Sequence, residues 1–204
     1  MTITKIAIVG AHGVGKTTLT NELRSRLAGK GLGVISVAPE IPREICRLAA
    51  DPGFYRRGKN NPLKQALLLF GQIQSEHFSL PGEDGVLICD RGVLDLWAYS
   101  KYLFADEFQA ACVLELYEAL VERYARSYQM HFYVPAEFPP SDDGIRENDR
   151  SFQAAVDETI REFLEKYSVP HRKTAGTREE RCRLIETELR ALASRPRVPE
   201  FPPT

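Results

Sequence analysis

The most constraining feature of the sequence is a glycine-rich segment between a predicted strand and a predicted helix. Residues 10–17 match the pattern G-x-x-x-x-G-K-[ST]. The β-branched run before them, residues 3–9, is typical of a buried strand, and leucines four residues apart predict a helix from Lys16 to Ala28. The order strand, glycine loop, helix predicts a phosphate-binding loop.

This loop provides the groups that bind a polyphosphate and its cation. Its glycines let backbone N–H groups point inward, and the following helix adds the positive end of its dipole. We expect Lys16 to neutralise the β- and γ-phosphates and the Thr17 hydroxyl to bind Mg²⁺. His12 fits a variable position of the loop better than a catalytic one. The residues expected to contact the nucleotide are Gly10, His12, Gly13, Val14, Gly15, Lys16, Thr17 and Thr18.

The rest of the chain alternates predicted strands with predicted helices. Further strands are expected at residues 34–38, 86–89, 130–134 and 172–174. Helices are expected at residues 43–50, 63–78, 93–104, 106–126, 150–167 and 177–193. This alternation predicts a three-layer α/β fold, with a five-stranded parallel sheet and helices on both faces. One domain is expected over residues 1–195, followed by a proline-rich tail over 196–204.

Composition excludes several classes of protein. Lys plus Arg number 27 and Asp plus Glu 28, a net charge of −1, whereas a dedicated nucleic-acid binder is usually strongly basic. No apolar stretch approaches the roughly 18 residues of a membrane span, and no signal peptide precedes the first strand, so a cytoplasmic location is expected. The scattered cysteines, expected to be reduced packing thiols, are Cys46, Cys89, Cys112 and Cys182.

Charged residues at the predicted strand ends are the candidates for chemistry, because parallel sheets bind ligands outside the carboxyl ends of their strands. Asp90 can hold a Mg²⁺-bound water, or accept a proton from a substrate hydroxyl. The adjacent Arg91 can bind a phosphate or fix that carboxylate. The alternative is an Asp that caps the next helix beside a solvated Arg.

Two longer patterns resemble known families. Residues 90–99 resemble the D-R-x-x-x-[S/D]-x-x-A-Y segment of thymidylate kinases and deoxynucleoside kinases. The phosphate loop, with E-x-x-R-E at 40–44, D-D-G-I-R at 142–146 and K-Y-S-V-P at 166–170, is more similar to a P-loop kinase-like ATPase family. That family includes the ribosylnicotinamide kinase domain of NadR, and the similarity spans about residues 3–189. The resemblance implies a P-loop NTPase fold and an ATP- and Mg²⁺-dependent kinase.

The resemblance also implies roles for single residues. Glu40 is expected as the base that takes a proton from a sugar hydroxyl, with Asp90 as its rival. Arg43 is expected to hold the acceptor. Residues 136–150 resemble a lid, in which Arg146 and Arg150 would close over the transferred phosphoryl group. The alternative for Glu40 is an acidic residue at a helix start, and for Arg43, Arg146 and Arg150 it is an ordinary solvated arginine.

Helix residues offer weaker candidates for acceptor binding. Among Gln65, Gln72 and Gln74, at least two are expected to be solvated, while Gln72 is the one predicted to read a base edge, by resemblance to deoxynucleoside kinases. The large aromatic residues Phe70, Trp97 and Tyr99 could stack on a base, but on helices they are more commonly core residues, and we expect them to pack in the core.

Two functions remain open from the sequence. The guanine-reading Asn-Lys-x-Asp motif and the transporter motif Leu-Ser-Gly-Gly-Gln are both absent. One hypothesis is a kinase that acts on a small nucleoside-like or nucleotide-like phosphate acceptor, such as a pyridine riboside. The other is a nucleotide-binding switch or regulatory NTPase that presents its loops to a partner. Neither the acceptor nor the oligomeric state is encoded in a recognisable motif.

Overall fold

A computed structural model of the chain describes residues 2–41, 62–104, 111–137 and 150–194. The strands in these ranges are β1 (Ile3–Val9), β2 (Val34–Ala38), β3 (Gly85–Asp90), β4 (Met130–Tyr133) and β5 (His171–Lys173). The helices are α1 (Lys16–Leu27), α2 (Pro62–Phe78), α3 (Val93–Phe104), α4 (Ala111–Ala125), α5 (Arg150–Lys166) and α6 (Arg178–Ala193). The predicted alternation is confirmed, whereas the predicted helix over 43–50 and most of the lid lie outside the described residues.

All five strands are parallel and lie in the order β2-β3-β1-β4-β5. Strand β3 lies between β1 and β2, and Asp90 at its end is paired with Ile8 of β1. The segments that follow these three strands therefore leave the same edge of the sheet side by side. This arrangement places the phosphate loop, Glu40 and Asp90 at one carboxyl-end crevice.

The sheet has a hydrophobic core on each face. Successive side chains of β1 alternate between the faces, so Ala7 contributes to one core and Ile8 to the other. Helices α2 to α5 cover the first face, and α1 and α6 cover the second. The leucines predicted to form the apolar stripe of α1 are buried in the second core. The expected three-layer α/β fold is thus confirmed.

The predicted apolar stripe of α4 is wrong at Leu116. Leu120 and Tyr124 are half-buried and pack against the core, yet Leu116 is 70% exposed. The helix instead buries Tyr117 and Val121. Apolar residues occupy two neighbouring stripes of α4, and its packing on α3 selects between them.

The described ranges can be compared with two further expectations, on membrane spans and on cysteines. None of the helices in them is long and apolar enough to cross a membrane. Cys89 and Cys182 are free and buried, as expected for packing thiols. Burial raises the pKa of the Cys89 thiol well above its usual value, which keeps it protonated and unreactive. Cys46 lies outside the described residues.

Candidate active site

The phosphate loop has the backbone that its glycines predict. Gly15, the N-cap of α1, has φ 87°, a left-handed conformation that strains other residues. A Cβ on Gly10 would lie 2.4 Å from the carbonyl oxygen of Val134, so only glycine fits there beside β4. The first turn of α1, which is fully described, contains no acidic residue. The positive end of its dipole is therefore available to an anion.

The Lys16 side chain is buried against its own loop. Its Nζ donates hydrogen bonds to the carbonyl oxygens of Gly10 at 2.7 Å and Ala11 at 2.5 Å. Thr17 and Thr18, by contrast, are exposed at the start of α1. The Thr17 hydroxyl is therefore accessible to a cation, whereas Lys16 has to leave two carbonyl groups before it can bind a phosphate.

His12 has a packing role that the loop pattern did not indicate. It is buried, and its Nδ1 lies 3.0 Å from the Tyr99 hydroxyl. Its backbone carbonyl accepts a hydrogen bond from Gln153 Nε2 at 2.8 Å, and its ring packs on Phe152. His12 thus holds the phosphate loop against α3 and against the first turn of α5.

Asp90 provides a buried carboxylate at the end of β3. The residue is 5% exposed, and its Oδ1 has no hydrogen-bond partner within the described part of the chain. Leaving a buried polar group unsatisfied costs about 1–3 kcal/mol, and more when it is charged. Such an atom persists where a ligand, a cation or water completes its coordination.

Arg91 and Glu40 form a buried ion pair beside Asp90. Arg91 Nε lies 3.0 Å from Glu40 Oε1, and both side chains are almost fully buried. Burial alone lowers the pKa of Arg91, but neighbouring Tyr99, Asp95 and Asp90 outweigh it and raise the pKa. Arg91 also has φ 85°, which is strained for a residue with a side chain and typical of functional sites. The carboxylate that Arg91 pairs with is Glu40 and not the predicted Asp90, and its predicted phosphate-binding role stays a prediction.

Asp95 belongs to the site although sequence reasoning gave it no role. It is completely buried, and its Oδ1 accepts a hydrogen bond from the Gly10 N–H at 2.9 Å. Its Oδ2 accepts one from the Gly92 N–H at 3.0 Å. The [S/D] position of the D-R-x-x-x-[S/D] segment was the available signal. The Gly10 N–H therefore points at Asp95 and not into the loop.

The expectation for the glutamines of α2 is wrong. Gln65 and Gln72 are both buried and only Gln74 is exposed. Gln72 Nε2 donates to Glu76 Oε1 at 2.9 Å and to the Arg91 carbonyl at 3.4 Å. Its Oε1 has no hydrogen-bond partner among residues 2–41, 62–104, 111–137 and 150–194. Gln72 keeps its predicted place as a substrate-binding candidate, because α2 turns it toward the Asp90 turn.

The aromatic residues of α2 and α3 divide between core and surface. Trp97 is 3% exposed and packs in the core as expected, against Phe163. Phe70 is 59% exposed, so its predicted core position is wrong. The polar side of α2 turns inward to Glu76, and this leaves Phe70 on the outer side of the helix.

The arginines predicted to act on the acceptor and in the lid are only partly visible. Arg43 and Arg146 lie outside the described residues. Arg150 is the first residue of α5 and is exposed. Its predicted catalytic role stays a prediction.

The donors at the crevice fit a Mg²⁺ ion that is held mainly by phosphate. Within the described ranges no group of three or more His, Cys, Asp or Glu residues could hold a metal by itself. Mg²⁺ in phosphate-transfer sites uses one or two carboxylates, substrate phosphates and several waters. The unpartnered Oδ1 of Asp90 and the accessible Thr17 hydroxyl match that donor set.

Comparison with known proteins agrees with this geometry. A family model described as AAA domain matches residues 5–181. The chain belongs to this family. Its fold is that of P-loop kinases, as the resemblance implied. Comparison with curated protein sequences gives no match.

Three solved structures illustrate the fold. Deoxyadenosine kinase from M. mycoides, with products dCMP and a flexible dCDP bound, is 18% identical with TM-score 0.67, over 93% of this chain and all of that one. NadR in complex with NR is 17% identical with TM-score 0.66, over 93% of this chain and 50% of NadR. Thymidylate kinase from Ehrlichia chaffeensis is 14% identical with TM-score 0.56, over 92% and 99%. At these identities the similarity establishes the fold.

Proposed function

We propose that the protein is a kinase that transfers the γ-phosphate of ATP to a small nucleoside-like or nucleotide-like acceptor. The observation that carries this proposal is Asp90. Its buried Oδ1 lacks a hydrogen-bond partner in the described ranges and lies at the end of β3, whose neighbour β1 leads into the phosphate loop. A loop that binds the triphosphate and a carboxylate that can contact the attacking group or the cation are two recurring features of phosphoryl-transfer sites.

The loop is the donor side of the proposed reaction. Backbone N–H groups of residues 13–17 and the start of α1 bind the triphosphate. Lys16 exchanges the carbonyls of Gly10 and Ala11 for phosphate oxygens, and its charge stabilises the transition state. Thr17 and Asp90 would hold Mg²⁺, which supplies further neutralisation of phosphate charge when it is bound.

Asp90 and Glu40 divide the acceptor side between them. Asp90 is the better candidate to accept a proton from an acceptor hydroxyl, or to hold a cation-bound water, because its Oδ1 is available. Glu40 Oε1 contacts Arg91 and therefore orients that guanidinium. The guanidinium, held in this way, is a binding group for phosphate oxygens.

The acceptor class is inferred from similarity and from Gln72. NadR and deoxyadenosine kinase, whose structures contain NR and deoxynucleotides, share the fold. Gln72 presents a buried amide oxygen without a partner in the described ranges, next to the Arg91 carbonyl. An amide oxygen of this kind accepts a hydrogen bond from an exocyclic amine or amide. We therefore propose a nucleoside-like acceptor that carries such a donor.

A phosphotransfer panel tests the proposal. Purified protein is incubated with ATP and Mg²⁺ and with nucleosides, pyridine ribosides or nucleoside monophosphates, and products are identified by mass spectrometry. A phosphorylated acceptor that is lost in Lys16→Ala supports the kinase. ATP hydrolysis without any phosphorylated acceptor contradicts it and supports a regulatory NTPase. Tight ATP binding without turnover contradicts it in favour of a nucleotide-binding switch.

A further inference from the structure

We propose that Asp95 is a positioning residue that fixes the phosphate loop to the turn carrying Asp90 and Arg91. The proposal rests on the proposed function, since it explains how the phosphate loop keeps a fixed distance from Asp90 and Arg91 on the phosphate-acceptor side. Asp95 itself touches neither phosphate nor acceptor. It accepts hydrogen bonds from the backbone N–H groups of Gly10 and Gly92. Gly10 is the first residue of the phosphate loop, and Gly92 directly follows Asp90 and Arg91.

The two carboxylate oxygens have different tasks. The bond from the Gly92 N–H to Oδ2 joins residues three apart at the start of α3, as in an ordinary capping interaction. The bond from the Gly10 N–H to Oδ1 joins residues 85 apart and leaves the helix altogether. Helix capping explains the first bond but not the second. The second bond exists only because the phosphate loop lies against α3.

A carboxylate is the side chain that this place requires. Two N–H donors converge on it, and each needs an acceptor oxygen. Asparagine has one acceptor oxygen, so its NH₂ group would face the other N–H. The charge also has a counterpart, because Lys16 Nζ lies 4.0 Å from Asp95 Oδ1. Asp95 thus faces both the N–H of Gly10 and the ammonium of Lys16 in one buried arrangement.

The consequence is a constraint on phosphate binding. With its N–H committed to Asp95, Gly10 anchors the loop instead of binding phosphate. If that anchor is lost, the loop has to be ordered by the nucleotide itself, and the cost of ordering lowers affinity. A purely structural role of Asp95 would lower thermal stability without this selective loss.

The test compares ATP binding with amide exchange. ATP·Mg²⁺ affinity is measured by calorimetry for wild type, Asp95→Asn and Asp84→Asn. Asp84 is a matched control, because its carboxylate accepts the Thr2 N–H at the opposite edge of the sheet. Losing a hydrogen bond to a charged group corresponds to an expected loss of about tenfold or more in affinity for Asp95→Asn. Asp84→Asn is expected to bind ATP as wild type does.

Amide exchange reports on the anchor itself. In the nucleotide-free wild type, the Gly10 and Gly92 amides are expected to exchange slowly, and Asp95→Asn should accelerate exchange at Gly10. If Asp95→Asn does not fold, the same titration is made with Asp95→Ser and the same criterion applies. ATP affinity within twofold of wild type, or fast Gly10 exchange in the wild type, overturns the role of Asp95. A wild type that binds no ATP contradicts the proposed function instead.

Discussion

Two clusters of buried charge differ in how completely their carboxylate oxygens are satisfied. The core cluster consists of Lys5, Glu76, Tyr124 and Tyr128, with Gln72 at its edge. Glu76 Oε1 accepts from Gln72 Nε2 and from the Tyr128 hydroxyl at 2.7 Å. Its Oε2 accepts from the Tyr124 hydroxyl and from Lys5 Nζ at 2.9 Å. Each oxygen of this carboxylate therefore has two donors.

The site cluster consists of Lys16, Glu40, Asp90, Arg91 and Asp95. It is as deeply buried as the core cluster, yet Asp90 Oδ1 finds no hydrogen-bond donor in the described ranges. Lys16 Nζ donates to the carbonyl oxygens of Gly10 and Ala11 and lies 4.0 Å from Asp95 Oδ1. The difference teaches that burial of charge does not by itself indicate function. What differs is the carboxylates, because each oxygen of Glu76 has two donors whereas Asp90 Oδ1 has none in the described ranges.

The largest expected effect comes from Lys16→Ala. Without the ammonium, the triphosphate loses its main counter-charge, and both ATP binding and phosphotransfer should fall below detection. The hydrogen bond from the Gly10 N–H to the Asp95 carboxylate remains, so the variant should stay folded. Calorimetry and circular dichroism measure the two properties. ATP binding equal to that of the wild type would contradict the proposal that the phosphate loop binds the triphosphate.

Asp90→Asn should separate activity from stability. Loss of a general base or of a cation-holding carboxylate lowers the phosphotransfer rate by about 10²–10⁴-fold. Stability should stay the same or rise, because a neutral amide costs less to bury than a carboxylate oxygen without a partner. Rates from the acceptor panel and urea denaturation give both numbers. A less stable but fully active variant would show that Asp90 stabilises the fold, as the core cluster does, and does not take part in the reaction.

Glu76→Gln should show the opposite pattern. Removing this charge leaves Lys5 buried without its counter-ion, which costs about 3–5 kcal/mol of unfolding free energy. ATP affinity of the folded protein should not change. The matched control is Glu118→Gln, whose carboxylate accepts from Lys166 and Tyr167 at the surface and should matter little. Equal losses in both variants would contradict the importance of burial.

The smallest expected effect is a pH dependence from His131. Burial lowers the pKa of this histidine to about 4, and its Nδ1 is within 3.2 Å of the Pro170 carbonyl. The unfolded state, with the usual pKa near 6.5, binds a proton first as pH falls. Stability is therefore complete above about pH 6.5 and is lost toward pH 4, by about 3 kcal/mol in total.

Denaturation at several pH values checks this expectation. His131→Gln should flatten the profile between pH 4 and 6.5, whereas His77→Gln, which changes an exposed histidine of α2, should leave it unchanged. A wild-type profile that stays flat over this range would show that folding does not lower the pKa of His131.

Local patterns predicted the fold and the position of the phosphate loop. Glycine spacing indicated the loop, and apolar runs indicated four of the five described strands, because both depend on neighbouring residues. The bond from Gly10 to Asp95 joins residues 85 apart, and the bond from Tyr128 to Glu76 joins residues 52 apart. Their geometry depends on how α2, α3 and α4 pack, which no local spacing encodes. The wrong predictions for the glutamines of α2 and for Leu116 of α4 have the same cause.

The pairing of Arg91 with Glu40 was also beyond sequence reasoning. Either carboxylate, Glu40 or Asp90, could have been the partner of the arginine or the base. The strand order placed both beside Arg91, and only side-chain geometry separated them. The base role that the resemblance implies for Glu40 therefore stays a prediction, and Asp90 is the alternative that we propose.

The most direct test of the central claim is a crystal structure with a non-hydrolysable ATP analogue and Mg²⁺. The account predicts β- and γ-phosphates on the N–H groups of residues 13–17, with Lys16 Nζ moved from the Gly10 and Ala11 carbonyls to phosphate oxygens. Asp90 Oδ1 should then contact a cation-bound water or face the acceptor space. An analogue bound elsewhere, with Lys16 still on both carbonyls, would contradict it.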